Sequence, residues 1–280
     1  MPNTADTNPN TIPTLMRSIV LNEPNEDINL SDTQLPVPQC TGNELLVKVE
    51  YVGLNPVDAQ FAKSGFCTWQ YPHVLGLDAV GTVVKAGKGI FPGVGERVMW
   101  HASVGEQGVL SEYAKVPNYA VSIIPQQLAS DKAATLPCAG MAALISLDKL
   151  SVTEGDTLFV EGGAGAVGQF AIQFAKQRGA DVFTTASKRN HKLVKQLGAD
   201  VVFDYNDKAL CDKIRRELGP QGFAFLKWAS LLASINWVVV SDLCLDSTRI
   251  LTAIVVPKNK FDASVPYKFG KTNKGFKLGA

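Results

Sequence analysis

The chain has 280 residues, of which 46% are hydrophobic and 19% charged, and its formal net charge at pH 7 is +1. This ordinary globular composition excludes a disordered or fibrous protein and allows one large or two medium domains. The near-neutral charge gives no electrostatic argument for nucleic acid or a membrane as partner, and five dispersed cysteines without a secretory leader predict a soluble cytoplasmic protein.

The first part of the chain is rich in β-type segments. Residues 1–14 are Asn, Thr and Pro rich with little to bury, which predicts a disordered tail. Short apolar runs then alternate with Gly and Pro turns; in one of them Leu45, Val47 and Val49 alternate with their neighbours as in a strand. The pattern predicts a compact β-rich barrel over residues 15–128.

From residue 129 the pattern changes to alternating strands and helices. A helical pattern covers Ser130 to Leu150, and regular alternation follows it. The predicted elements are strand Thr157–Glu161, helix Ala166–Arg178, strand Val182–Thr185, helix Asn190–Leu197, strand Val201–Phe203 and helix Lys208–Leu218. Strict alternation is typical of a parallel sheet, so residues 129–223 are predicted to form the first half of a doubly wound α/β domain.

A glycine motif lies between the first of these strands and its helix. Gly163, Gly165 and Gly168 form G-x-G-x-x-G, in which the first glycine is expected to permit a tight turn, the second close approach of a pyrophosphate, and the third close packing of helix and strand. The amides that open the helix, at Ala166 and Val167, would face the phosphates. The motif favours dinucleotide binding, and a purely structural turn in another parallel sheet is the alternative.

The residues after the second strand predict which dinucleotide the protein binds. An NAD site usually has Asp or Glu there to bind the ribose 2′-OH, whereas this chain has Ser187, Lys188 and Arg189. A hydroxyl and two cations suit a 2′-phosphate, so the sequence predicts NADP(H). The alternative is that both cations are solvated charges at the start of the next helix.

Several motifs in the same order resemble the medium-chain dehydrogenase/reductase superfamily, and within it the zinc-independent quinone oxidoreductase-like members. They are GLNPVD, YPHVLGLDAVGTVV, VGERV, LPCAGM, the glycine motif and SKRNHKLVKQLGADVVFDY, and the likeness runs from about Leu15 to Phe223. The resemblance implies an N-terminal GroES-like β-barrel domain plus a Rossmann doubly wound parallel sheet.

The same residues give an argument against zinc. A catalytic zinc needs three Cys, His or acidic ligands. By this resemblance, Asn55 and Leu77 occupy the positions where zinc-dependent relatives have Cys and His. His73, His101 and His191 are separated in sequence from the cysteines and from each other, which favours solvated or hydrogen-bonded histidines, so no metal ligand is assigned.

The resemblance also implies roles for single residues. Asn55 should border the nicotinamide and substrate, and Ser187 to Arg189 should surround the 2′-phosphate. Tyr205 is similar to a tyrosine on the adenosine side, although packing on the sheet would also explain it. For Asp58 and Asp78, a purely structural role is the alternative to a role in the chemistry. Cys138 is expected to be a small core residue rather than a nucleophile.

The implied reaction is hydride transfer from NADPH to a quinone or another α,β-unsaturated carbonyl, with a small electrophilic molecule as substrate. No proton donor is identified from the sequence. Ala142 lies where relatives carry a hydroxyl residue, which favours the alternative of a catalytically impaired or non-catalytic nucleotide-binding protein.

The last part of the chain departs from the family pattern. Residues 224–280 carry no recognisable fourth Rossmann strand, so we expect the second half of the sheet, and with it the edge through which relatives often dimerise, to be missing. A frame-shifted or truncated product would explain the abrupt change. The lysine-rich end is expected to be solvated, with an anionic partner as the alternative.

Overall fold

The computed structural model describes residues 12–210, 212–214 and 216–217, together with the backbone of residues 226–232, 237–244 and 249–254. The chain divides into two compact units, Met1–Cys138 and Ala139–Ala280. Residues 1–11 of the expected tail lie outside the described part. The first unit extends past the predicted boundary at residue 128 because Ala133 and Ala134 pack with Val80 and Ile124 in one buried cluster.

The first unit contains two antiparallel sheets. Their strands are β1 Leu15–Leu21, β2 Leu30–Pro36, β3 Glu44–Gly53, β4 His73–Val74, β5 Asp78–Ala86, β6 Arg97–His101, β7 Tyr113–Pro117 and β8 Val121–Ile123. One sheet has the strand order β2, β1, β4, and the other has the order β7, β3, β5, β6, β8. These β-rich sheets confirm the GroES-like part of the predicted fold class.

The strand predicted around Val47 is present, but at Leu46 its second face is also buried. Leu45 and Val47 belong to one core cluster, while Leu46 packs with Met16 and Val37 in another. Simple alternation was therefore wrong at Leu46, because a second layer of side chains covers that face.

A helix that the sequence analysis did not predict follows β3. α1 spans Pro56–Ser64, with Asn55 as its N-cap. Proline at the first helical position and an acid at the third are start signals that were present in the sequence. The Asp58 carboxylate accepts the Asn55 backbone N–H at 2.6 Å, which fixes the entry to this helix.

The helix predicted over Ser130 to Leu150 is two helices. α2 spans Ser130–Ala133 and α3 spans Pro137–Lys149. Proline has no N–H to donate to the preceding turn and is well tolerated at a helix start, so Pro137 ends one helical run and begins the next.

The second unit contains the predicted parallel strands. β9 Thr157–Glu161, β10 Asp181–Ala186 and β11 Val201–Asp204 alternate with α4 Ala166–Gln177 and α5 His191–Gln196. β10 pairs in parallel with both β9 and β11. Residues 212–214 of the last predicted helix are helical. The parallel sheet confirms the Rossmann-like part of the predicted fold class.

The sheet continues beyond the three strands that the sequence predicts. β12 Leu226–Leu232 pairs in parallel with β9, and β13 Trp237–Cys244 and β14 Arg249–Ile254 continue the sheet in antiparallel fashion. Runs such as WVVVSDLC are β-branched and apolar, so they form strands without the family's sequence motif. The antiparallel pairing of β12 with β13 and of β13 with β14 differs from the parallel pairing of a second doubly wound half.

Helices and strands of the second unit enclose one large apolar cluster. Leu147, Leu158, Ile172 and Val182 are fully buried in it. None of the helices in the described part of the chain is long and apolar enough to cross a membrane.

Candidate functional site

Three of the predicted cofactor segments lie at one edge of the parallel sheet. The glycine turn follows β9, residues 187–189 follow β10, and Tyr205 follows β11. Because these three strands are parallel neighbours, their carboxyl ends meet at the same edge, which is where open α/β sheets bind ligands. The structure therefore brings the glycine turn, Ser187 to Arg189 and Tyr205 to one edge.

The glycine turn is held against β10. The Gly162 amide donates to the Thr185 hydroxyl oxygen, and the Gly163 amide donates to the Thr185 carbonyl oxygen, each at 3.0 Å. A Cβ on Gly163 would lie 2.1 Å from the Thr184 hydroxyl oxygen, so this position has no room for a side chain. The positive φ of the turn is at Gly162 (71°), not at Gly163, to which the sequence analysis assigned the tight turn.

The third glycine of the motif allows the helix to approach the turn. A Cβ on Gly168 would lie 2.5 Å from the Gly162 carbonyl oxygen and 2.7 Å from the Gly163 Cα. α4 therefore packs directly on the turn, with Gly165 as its N-cap. The amides of Ala166 and Val167 belong to the first turn, whose N–H groups have no carbonyl partner within a helix, and they suit an anionic ligand.

The cations after β10 are exposed. Ser187 is the N-cap of a short 3-10 turn formed by Lys188–Asn190, and its carbonyl accepts the Asn190 N–H at 2.8 Å. Neither Lys188 nor Arg189 forms a salt bridge with any residue that the structure describes. Tyr205 is 56% exposed. These side chains are accessible to a ligand.

In the first unit, Asp78 is the centre of a hydrogen-bonded cluster. Its carboxylate is 1% exposed and accepts three hydrogen bonds. Oδ1 lies 2.7 Å from His101 Nδ1, and Oδ2 accepts the Asn55 side-chain amide and the Cys138 backbone N–H, each at 3.0 Å. Both oxygens of this buried side chain therefore have hydrogen-bond partners.

Strand register explains why these residues meet. Asp78 begins β5 and lies directly opposite Gly53 on β3 and His101 on β6. Gly53 also lets the chain before α3 come close, because a Cβ there would lie 2.1 Å from the Ala134 carbonyl oxygen. The cluster is therefore set by the pairing of three antiparallel strands and by one close backbone approach.

Burial changes the acidity of the groups around Asp78. It raises the pKa of Asp58 to about 6, and the nearby Asp78 carboxylate acts in the same direction. Burial and the same two carboxylates raise the pKa of the Cys138 thiol to about 12. A thiol of that pKa is protonated at neutral pH, which agrees with the interpretation of Cys138 as a core residue rather than a nucleophile.

The histidines have three different environments. His101 is distant from the cysteines in sequence but lies near one in space, because Asp78, His101 and Cys138 place their ligand atoms within 4.8 Å of one another. His191 Nε2 is hydrogen-bonded to the Ala186 carbonyl at 3.1 Å. His73 is 3% exposed and stacks on Trp69 with ring centroids 3.7 Å apart.

The donor set of Asp78, His101 and Cys138 can be compared with a zinc site. Two ligands of a tetrahedral zinc lie about 3.3 Å apart, given Zn–N and Zn–O bonds of roughly 2.0–2.2 Å. Asp78 Oδ1 and His101 Nδ1 are 2.7 Å apart and hydrogen-bonded to each other, which is closer than two ligands of one zinc ion. The side chains are arranged as a hydrogen-bonded cluster and do not fit a zinc ion as they stand.

Sequence reasoning missed His101 as a member of the site. The signal was indirect, because the runs that form β5 and β6 could be identified as strands but their register could not. A shift of one residue would place His101 on the other face of the sheet. The other predicted residue of this unit, Asn55, is half-buried and bound to Asp78.

Comparison with known proteins gives matches over both units. Residues 41–126 match the family model described as the alcohol dehydrogenase GroES-like domain, and residues 166–226 match the one described as zinc-binding dehydrogenase. The trans-enoyl reductase tazE of Aspergillus terreus is 36% identical over 196 residues, which cover 63% of this chain and 65% of that protein.

Two solved structures are also similar. The quinone oxidoreductase from Coxiella burnetii is 32% identical with a TM-score of 0.65, covering 71% of this chain and 65% of that one. A mycobacterial protein solved in complex with NADPH is 30% identical with a TM-score of 0.65, covering 75% of this chain and 64% of that one.

The chain thus spans slightly less than two thirds of the length of each of these relatives. The matches occur in the same order as the sequence motifs and extend over the barrel and the parallel sheet. The chain belongs to the medium-chain dehydrogenase/reductase superfamily of oxidoreductases, with trans-enoyl reductases and quinone oxidoreductases among its relatives.

Proposed function

We propose that the chain is an NADPH-dependent reductase that transfers hydride to a quinone or another α,β-unsaturated carbonyl without zinc. The observation that carries the proposal is the end of β10, where Ser187, Lys188 and Arg189 stand in place of a carboxylate at the edge that also holds the glycine turn. A hydroxyl and two accessible cations can bind a 2′-phosphate, which NAD lacks.

The glycine turn and α4 are the proposed pyrophosphate site. The amides of Ala166 and Val167 would donate to phosphate oxygens, and the absence of a side chain at Gly163 and Gly168 keeps the turn and the helix close together. Tyr205 would bind on the adenosine side. The bound nicotinamide supplies the hydride, and the protein orients it and excludes water.

The Asp78 cluster supports a reaction without zinc. Leu77 cannot coordinate a metal, and Asn55 donates its side-chain amide to Asp78 instead of offering a thiolate. Without a metal to polarise a carbonyl, the acceptor must delocalise negative charge itself. Quinones and α,β-unsaturated carbonyls do so, and the similarity to a quinone oxidoreductase and a trans-enoyl reductase agrees with this substrate class.

The test of cofactor choice compares two double variants. Lys188→Ala with Arg189→Ala should weaken NADPH binding about 10- to 100-fold or more, since a charge-assisted hydrogen bond contributes about 1.5–3 kcal/mol, and should leave NADH binding unchanged. Lys85→Ala with Lys88→Ala removes the same charge from exposed positions in the first unit and is the control. Equal losses for NADPH and NADH in a fluorescence titration would contradict the phosphate assignment.

The test of activity measures NADPH oxidation by the purified protein with a small quinone and with an enone. Turnover in protein that metal analysis finds free of zinc supports the proposal. One zinc per chain, lost together with activity on chelation, would contradict the metal-free reaction.

A second candidate function is a non-catalytic nucleotide-binding protein, which Ala142 favours because relatives have a hydroxyl residue there. In this protein the Ala142 carbonyl accepts the Ser146 hydroxyl at 2.5 Å, so the nearby hydroxyl is used within α3. Saturable NADPH binding without reduction of any acceptor would support this candidate.

A further inference from the structure

A small cavity in the first unit lies between α1, β4 and the loop that follows β6. Asp58 and His73 line it, together with apolar side chains such as those of Trp69 and Leu77. The volume open to the centre of a water molecule is about 10 Å³, which is about what one buried water needs. The cavity can therefore hold one occupant of the size of a water molecule.

Two residues of its lining carry buried polar atoms that no protein group satisfies. Among the side chains that the structure describes, three contain a buried nitrogen or oxygen without a hydrogen bond, namely Ser18 Oγ, Asp58 Oδ1 and His73 Nδ1. Two of the three belong to residues that line this cavity. Asp58 is 7% exposed and His73 is 3% exposed. Burying a polar group without a hydrogen bond is costly, so both atoms need a partner that the cavity can supply.

Other contacts hold both side chains in place. Asp58 Oδ2 accepts the Asn55 backbone N–H at 2.6 Å, which leaves Oδ1 as the oxygen that needs a partner. The His73 ring is stacked on the Trp69 ring, with centroids 3.7 Å apart and an interplanar angle of 12°. Because these contacts fix both orientations, the missing partner has to come to the two atoms.

Hydrogen bonds also fix the walls of the cavity. The Trp69 indole N–H donates to the Val104 carbonyl at 2.6 Å, and the Val74 N–H donates to the Gln107 side-chain oxygen at 2.7 Å. The Gly108 N–H donates to the Val74 carbonyl at 2.7 Å. These bonds hold the loop after β6 against β4, so the cavity is preformed.

The two atoms determine the chemistry of the occupant. The pKa of Asp58 is about 6, so at pH 7.5 this carboxylate only accepts hydrogen bonds. Burial lowers the pKa of His73 to about 4, so its ring is neutral and Nδ1 donates or accepts according to the tautomer. A water molecule can donate one proton to Asp58 and use its other proton or a lone pair for His73. It therefore satisfies both atoms in either tautomer.

A metal ion suits the cavity less well. In the described part of the chain, one group of three side chains places its ligand atoms close enough for a metal, and neither Asp58 nor His73 belongs to it. A neutral occupant with both donors and acceptors fits the two atoms better.

We propose that the cavity binds a single water molecule that bridges Asp58 Oδ1 and His73 Nδ1, and that His73 acts through this water as a positioning residue for Asp58. The other Asp58 oxygen holds the Asn55 N–H, and the Asn55 side chain donates to Asp78 at 3.0 Å. A chain of hydrogen bonds then runs from His73 to the Asp78 cluster. All of these residues belong to the first unit, so the inference is independent of the proposed reductase function.

The first experiment is a high-resolution crystal structure of the full chain at pH 7.5. One water should lie about 2.7–3.2 Å from both Asp58 Oδ1 and His73 Nδ1. A cavity without a density peak, a peak bonded to only one of the two atoms, or a metal ion identified by its anomalous signal would overturn the proposal.

The second experiment detects the water in solution by NMR. A long-lived bound water should give nuclear Overhauser effects to the ring protons of Phe61 and Trp69, which line the cavity. His73→Phe keeps a ring for Trp69 but has no nitrogen, whereas His73→Asn keeps a polar atom near the position of Nδ1. The water signal should persist in His73→Asn and be lost in His73→Phe. Ser18→Ala removes the unsatisfied hydroxyl that does not line the cavity, and as the control it should keep the signal.

The third measurement tests the positioning role by amide hydrogen exchange. In His73→Phe the Asn55 amide should exchange about 3- to 30-fold faster than in wild type, because its acceptor Asp58 is less firmly held, and His73→Asn should restore slow exchange. The Ile124 amide, which donates to the Arg97 carbonyl in the same unit, is the control and should not change. Equal acceleration of both amides would indicate general destabilisation and overturn the positioning role.

The outcomes separate this inference from the proposed function. Absence of a water signal in wild-type protein would overturn the proposal whether or not the variants fold, and so would a wild-type signal in His73→Phe. Either result leaves the reductase function standing. A protein that contains the water but reduces no acceptor would contradict the proposed function and leave this site standing.

Discussion

Replacing Asp58 by Asn should change how the stability of the protein depends on pH. Asp58 is 7% exposed, and its pKa is raised from 3.8 to about 6. A carboxyl with a raised folded-state pKa binds more protons in the folded than in the unfolded state between about pH 4 and pH 6. The free energy of unfolding therefore falls as pH rises through this window, by about 3 kcal/mol in total from this group.

His73 contributes the opposite trend in the wild type. Burial lowers its pKa from 6.5 to about 4, so the unfolded state binds more protons between these values and stability rises with pH by a similar ~3 kcal/mol. The two trends nearly cancel in the wild-type curve. The difference between variant and wild type removes the His73 contribution and isolates that of Asp58.

The measurement is the free energy of unfolding in urea at several pH values. Asn keeps an acceptor for the Asn55 backbone N–H but carries no charge, so Asp58→Asn should gain stability relative to wild type by about 2–3 kcal/mol between pH 4 and pH 7.5. Asp27→Asn, at an exposed carboxyl, is the control and should follow the wild-type curve. A difference between Asp58→Asn and wild type that does not vary with pH would refute the argument.

Two further predictions use matched pairs of sites. Gly168→Ala should abolish NADPH binding or destabilise the protein by several kcal/mol, because the new Cβ would lie 2.5 Å from a backbone oxygen. The control is Gly140→Ala, whose Cβ would meet nothing within 4 Å. In thermal unfolding this control should be neutral or stabilise α3 by up to ~1 kcal/mol. Equal effects would contradict the close packing of helix and turn. Iodoacetamide at pH 8 should modify exposed Cys67 and spare Cys138, because a pKa of about 12 keeps the Cys138 thiol protonated. Peptide mass mapping measures the labelling of each cysteine. Fast labelling of Cys138 in the folded protein would count against its burial.

Local sequence signals identified the cofactor edge well. Strand, glycine turn, helix and second strand are consecutive in the chain, so their order alone predicts that residues 163–168 and 187–189 meet at the ends of parallel strands. Errors at this edge were small, such as the positive φ at Gly162 instead of Gly163. Helix signals near Pro56 and Pro137 were also present, although they were not recognised as boundaries.

The late strands show where motif reasoning fails. Strands β12, β13 and β14 do not carry the family's pattern, yet their backbone extends the sheet beside β9. Family motifs report ligand contacts and turns, whereas strand formation needs only β-branched and apolar residues of sufficient length. The frameshift or truncation hypothesis and the expected loss of the edge through which relatives often dimerise remain predictions.

The sequence by itself determined the order of the elements, the glycine turn, and the hydroxyl and cations that predict NADPH, because each depends on residues close together in the chain. Tertiary structure decided the cluster around Asp78. Asn55, Asp78, His101 and Cys138 come from four separate segments, and they meet through strand register and through the close approach of the chain at Gly53. Register depends on packing over whole sheets, and for that reason no local pattern revealed His101.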